Sequence, residues 1–125
     1  AVVRATFAMF GRDRMILISD TMRAAGMPDG DYTLGGQAVQ VHGKRATLAD
    51  GTIAGSCTNL YDCMTTAVGM GISLEEAVRS ATWNPAHEMG MLEEIGSIRD
   101  GKLADFVICD GKLERQAVYI GGEAL

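Results

Sequence analysis

Apolar and polar positions along this chain switch between helical and extended periods, and the switches mark its elements. Val2, Val3, Thr6, Phe7 and Phe10 recur at near-helical spacing, with Gly11 as a stop. Met15 to Ser19 follows as a short apolar run without Gly or Pro, ending at Asp20. An apolar run of this length between polar flanks reads as a fully buried strand of a parallel sheet, although a short helix segment fits the pattern as well. Ala24 to Asp31 is turn-rich. Tyr32 to Leu34 and Gln37 to Val41 are extended candidates around Gly35-Gly36, and His42-Gly43-Lys44 predicts a hairpin turn returning through Arg45 to Leu48. Ala49 to Ser56 reads as a loop.

From Thr58 to Val68, the positions Leu60, Met64, Ala67 and Val68 form one apolar helical stripe. Ser73 and Glu76 have capping-box spacing and open a second helix. Asn84-Pro85 predicts a cap and first residue for a third, short helix that ends near Gly90. Asp105 to Cys109 and Gln116 to Ile120 read as strands. The expected class is α/β. The order helix, strand, hairpin, three helices, strands is odd for a complete domain. It reads better as the end of a β/α barrel running into strands of a second domain, and so as a piece of a longer chain.

Composition narrows the function classes. The chain has 125 residues, 47% hydrophobic and 22% charged, which suits a soluble globular protein. Eleven basic residues against sixteen acidic ones give a net charge of -5, with no basic cluster, so nucleic acid is not expected as a partner. No stretch is long and apolar enough to suggest a bilayer span or a leader, and a cytoplasmic setting is expected. Cys57, Cys63 and Cys109 match neither a disulfide framework nor a zinc knuckle, and read as small buried thiols.

Three places carry candidate chemistry. If Met15 to Ser19 is a strand, Asp20 stands at its carboxyl end, where ligands bind in parallel α/β folds; the pattern by itself favours a turn or N-cap role. Gly55-Ser56 permits close backbone approach to a polar ligand, or simply leads into a helix cap. His42 and His87 have no carboxylate or histidine partner at metal-ligand spacing and are expected to face solvent.

Several motifs together resemble the N-acetylglucosamine-6-phosphate deacetylases of the amidohydrolase superfamily. They are Ile16 to Asp20, Ala25-Gly26-Met27-Pro28-Asp29-Gly30, Leu34-Gly35-Gly36, Leu48 to Ser56, Ala81-Thr82-Trp83-Asn84-Pro85-Ala86, and Gly96-Ser97-Ile98 with Gly101-Lys102-Leu103-Ala104-Asp105. The Asn-Pro-Ala and the Gly-Lys tail are shared across the superfamily; the earlier motifs are more specific to the deacetylases. The resemblance implies the C-terminal portion of a metal-dependent (β/α)8 TIM barrel over residues 1–92, with a β-hairpin excursion near 31–48. Residues 93–125 would supply strands of a small flanking β-sandwich.

It further implies hydrolysis of N-acetylglucosamine 6-phosphate to glucosamine 6-phosphate and acetate by a metal-activated water. Asp20 would be the general base and then the general acid, and Ile53, Ala54 and Gly55 would touch the sugar phosphate. The divalent metal, zinc or iron, would take its ligands from strands outside this sequence, so the 125 residues alone would be inactive. A homodimer is implied by the same likeness. The superfamily tail alone would also admit a dihydroorotase-like or deaminase-like amidohydrolase. A reading of a different kind is a non-catalytic association module that covers its apolar strand and helices by self-association.

Overall fold

A computed structural model describes residues 1–125. It is a mixed helix-and-sheet chain that divides into two compact units, Leu17–Cys63 on the one hand and Ala1–Ile16 with Met64–Leu125 on the other. The first helix, α1 (Val2–Phe10), buries Phe7 and stops at Gly11, whose N–H donates to Phe7 O. Of its other large apolar residues, Val3 is half-buried and Val2, Met9 and Phe10 are exposed.

The unit Leu17–Cys63 is built on a four-stranded antiparallel sheet, β1 (Gly30–Leu34), β2 (Gln37–His42), β3 (Arg45–Thr47) and β4 (Ile53–Ser56), in sequential order. Leu34 pairs with Gln37 across Gly35-Gly36, whose φ values of 58° and 83° give the doubly left-handed turn that a tight hairpin of right-twisted strands needs. Along β2, Val39 and Val41 are each 1% exposed while Ala38, Gln40 and His42 face out, the alternation expected of a sheet with one covered face. Met22, Ala24, Ala46 and Cys57 complete that core, with Tyr32, Leu48 and Ala54 packed around it.

The segment Ile53–Ser56, expected as loop, is instead β4. It pairs with β3 through a bulge at Ala46/Thr47. Its Ala, Gly and Ser are poor strand formers, so local propensity hid it. The pairing is imposed by the turn before it, where Leu48 N–H donates to Thr52 O and Thr52 N–H to Asp50 Oδ1.

The stretch Met15 to Ser19, expected as a buried strand, is unpaired and only half-buried within these 125 residues. Its residues form no ladder, and Ile16 and Ile18 are 39% and 75% exposed. Met15, Leu17 and Ser19 are half-buried while Ile16, Ile18 and Asp20 are exposed, so the period of two is present without a partner strand. A strand is burial plus pairing, and no segment of this chain lies along this one; its single bridge is the parallel one from Thr21 to Ser56.

The other unit holds the later helices and strands, except that the next helix begins within Leu17–Cys63. Helix α2 (Leu60–Gly69) turns Met64 and Ala67 inward, with Leu60 and Val68 half-buried beside them. Helix α3 (Leu74–Ala81) opens on a reciprocal capping box, Ser73 Oγ accepting from Glu76 N–H and the Glu76 carboxylate accepting from Ser73 N–H. Helix α4 (Trp83–Glu88) begins after Thr82, so Asn84 is inside the helix rather than its cap. The reason is tertiary: Asn84 is 4% exposed, and its amide donates to Arg12 O and Met15 O, each at 2.7 Å. Pro85 still falls in the first turn, where its missing N–H costs nothing. The chain ends in a three-stranded antiparallel sheet, β5 (Phe106–Cys109), β6 (Arg115–Ile120) and β7 (Glu123–Ala124), with Phe106 stacked on Tyr119 at 4.6 Å between ring centroids. No helix is long and apolar enough to cross a membrane.

Candidate functional site

The sequence-predicted residues Asp20, Ile53, Ala54 and Gly55 all lie in the unit Leu17–Cys63. Asp20 ends the extended stretch with φ 48°, a left-handed conformation that only Gly adopts freely and that costs an Asp roughly 1 kcal/mol. The next two residues are fastened to the end of β4. Thr21 bridges Ser56, Met22 N–H donates to Ser56 O at 2.9 Å, and Thr21 Oγ1 donates to Thr58 O at 2.6 Å. The last barely features in the pattern: nothing about hydroxyls at 21, 56 and 58 stands out until the fold brings them together. Ser56 Oγ and Thr58 Oγ1 lie 2.9 Å apart, and Thr58 N–H donates to Ser56 Oγ.

Asp20 therefore leaves the chain beside the carboxyl end of β4, the strand that carries the other three residues. Its carboxylate is exposed and has no intramolecular hydrogen bond or ion pair. These 125 residues supply one side of its surroundings and do not enclose it. Ile53 is 68% exposed, and Ala54 and Gly55 are half-buried. Gly55 packs under Leu34 and Met22, where an added Cβ would meet Leu34 Cδ2 at 3.4 Å and the Met22 sulfur at 3.6 Å.

The histidines face solvent as expected. His42 Nδ1 lies 3.7 Å from Asp29 Oδ2, and His87 Nδ1 lies 3.4 Å from Glu88 Oε1. All three cysteines are free thiols, but only Cys57 is buried; Cys63 is half-buried and Cys109 exposed on the short sheet, which corrects the expectation of three buried thiols. No group of three His, Cys, Asp or Glu side chains converges closely enough to hold a metal ion. Asp20 by itself offers one carboxylate, so the residues present do not fit a divalent metal centre.

Trp83 draws three cations to its ring. Arg79, Lys102 and Arg99 stand 5.2, 5.8 and 5.9 Å from its centroid. Lys102 is committed to structure, since its ammonium donates to Leu92 O and Ile95 O. Arg79 is committed too, with Asp13 2.8 Å away.

Comparison with known proteins bears on the family of the chain. The chain is 39% identical over 113 residues to N-acetylgalactosamine-6-phosphate deacetylase of Escherichia coli O157:H7, a match covering 90% of this chain and 30% of that protein. It is 36% identical over 112 residues to N-acetylglucosamine-6-phosphate deacetylase of Bacillus subtilis, covering 89% of this chain and 28% of that protein. Among solved structures it superposes on a mutant N-acetyl-D-glucosamine-6-phosphate deacetylase of Mycobacterium smegmatis in complex with N-acetyl-D-glucosamine-6-phosphate. That match has a TM-score of 0.87 at 36% identity, over 98% of this chain and 33% of the other. The chain thus spans about a third or less of the length of each of these three proteins. The resemblance read from the motifs is borne out over nearly all of the sequence. With residues 13–125 also matching the profile of the amidohydrolase family, the chain belongs to that family.

Proposed function

We propose that this chain is the C-terminal part of a hydrolase that converts N-acetylglucosamine 6-phosphate to glucosamine 6-phosphate and acetate. In this reading the Met15 to Asp20 stretch is a barrel strand whose neighbours come from sequence outside these residues, and β5 to β7 belong to a flanking sandwich. The observation that supports it is the fastening of Thr21 and Met22, the residues that follow Asp20, to Ser56 and Thr58 at the end of β4, the strand that carries Ile53, Ala54 and Gly55. It leaves a carboxylate free of intramolecular partners close in the fold to the end of the strand that would carry the substrate segment.

The chemistry asked of Asp20 is proton transfer. Water adds to the acetamide carbonyl and must lose a proton as it does so, and an ionised carboxylate within hydrogen-bond reach accepts it. The carbon–nitrogen bond then breaks only if nitrogen leaves as an amine, and the same carboxyl group returns the proton to it. Acetate and the free amino sugar result. The backbone of Ile53 to Gly55 would hold the phosphate end of the sugar and so set the distance from the acetamide to Asp20. The amidohydrolase family is generally metal-dependent, and the ligands for a zinc or iron ion would come from outside these residues.

A second substrate has specific support. The Escherichia coli O157:H7 relative, at 39% identity, is named for the galactosamine epimer. The test is acetate release by the full-length protein that carries these residues, offered each 6-phosphate epimer in turn. Release from the glucosamine form supports the first reading, and release from the galactosamine form alone selects the second. Inertness toward both refutes the deacetylase assignment.

A further inference from the structure

After Asp20 in the chain, the Thr21 hydroxyl and the Ser56–Thr58 hydroxyl pair make bonds that the proposed chemistry does not use. Thr21 Oγ1 donates to Thr58 O at 2.6 Å, a short bond between residues far apart in sequence. Thr58 is itself fixed, with its N–H on Ser56 Oγ at 3.2 Å, its Oγ1 2.9 Å from Ser56 Oγ, and Cys63 Sγ 3.5 Å from that same Oγ1. Immediately before Thr21, Asp20 holds a left-handed φ of 48°. Such a conformation persists in a non-glycine residue only when its surroundings over-determine it. On one side of Asp20 lies a stretch with no ladder; on the other lie the Thr21 bond and the Met22 to Ser56 bond.

We infer that Thr21 is a positioning residue: its hydroxyl bond to Thr58 O holds Asp20 in its left-handed turn and ties it in register with β4. The inference rests on the assignment of Asp20 as the proton-transfer group. The backbone bond from Met22 fixes where the strand end lies. The Thr21 side chain adds a second point of attachment, which removes rotation about the first. A group held at two points has one orientation, and a displacement of about 1 Å in such a group lowers turnover by about 100-fold.

The experiment compares Thr21→Val, which keeps the branched shape and loses the donor, with Thr21→Ser, which keeps the donor, in the full-length protein. Thr21→Val should lower kcat by about 10- to 100-fold with KM within about twofold of wild type. Thr21→Ser should restore kcat to within about threefold. The exchange rate of the Met22 amide should rise in Thr21→Val and return in Thr21→Ser. Wild-type kcat in Thr21→Val, or a serine variant as slow as the valine one, overturns the inference. Should the wild-type protein prove inert toward both sugar phosphates, the assignment of Asp20 fails by itself. Amide exchange then decides the attachment: faster exchange in the valine variant alone upholds it, and equal exchange in all three proteins overturns it.

Discussion

Asp20 combines an uncommon backbone angle with a side chain that has no partner in the chain. A carboxylate kept for proton transfer must not be engaged elsewhere, and here the fastening is done by its neighbours Thr21 and Met22. Replacing Asp20 by Asn keeps size and polarity and removes the basic oxygen. We predict that turnover in the full-length protein falls at least about 100-fold while KM and the thermal midpoint stay near wild type. Gly55 is a complementary probe. Its φ is not left-handed, and an added methyl would sit at ordinary contact distances from Leu34 and Met22. Gly55→Ala should therefore leave stability within about 1 kcal/mol. Its predicted effect is a raised KM for the sugar phosphate, read by steady-state kinetics. An unchanged KM would remove Gly55 from the substrate segment.

Helices and hairpins were legible in the sequence wherever local chemistry decides them. The capping box at Ser73, the Gly35-Gly36 turn and the stripe from Leu60 to Val68 stand where pattern puts them. What the pattern missed depends on distant partners. Strand β4 pairs in spite of its small residues, and Asn84 is drawn inside its helix by carbonyls near the start of the chain. The run before Asp20 keeps a strand's alternation but lacks a strand's neighbour. Of the candidate site, Asp20 and the Ile53 to Gly55 segment rest on resemblance alone; the bond from Thr21 to Thr58 was not legible, because residues so far apart in sequence meet only in three dimensions.

Three predictions concern these elements. Asn84→Ala leaves two part-buried carbonyls without their donor and should cost about 1–3 kcal/mol in denaturant unfolding. Gly96 has φ 84°, and a Cβ there would stand 2.7 Å from Ala86 Cβ and 3.2 Å from Thr82 O, so Gly96→Ala should cost about 2–4 kcal/mol by the same measurement. The Asp50 turn adds a pH dependence. Hydrogen bonds from the Thr52 N–H and side chain hold the Asp50 carboxyl below its ordinary value. Its contribution is therefore complete above the ordinary carboxylate range and is lost as pH falls through the lowered value. A nuclear magnetic resonance titration should find the Thr52 amide shift constant near neutrality and moving only below the ordinary carboxylate pKa.

At the scale of the whole chain, apolar surface is the dominant feature. Ile18, Ile53, Ile98 and Leu125 are among many large exposed apolar side chains, on a molecule of net charge -5. Such surface favours cover by other protein. Light scattering on the 125-residue chain should show mass rising with concentration, whereas a monomer at every concentration would speak against it. The central claim is that Asp20 moves protons in an amino-sugar phosphate deacetylase, and its most direct measurement is acetate release from N-acetylglucosamine 6-phosphate by the full-length protein and its Asp20→Asn variant. The account predicts release by the first and almost none by the second. Equal release by both, or none by the first from either epimer, would contradict it.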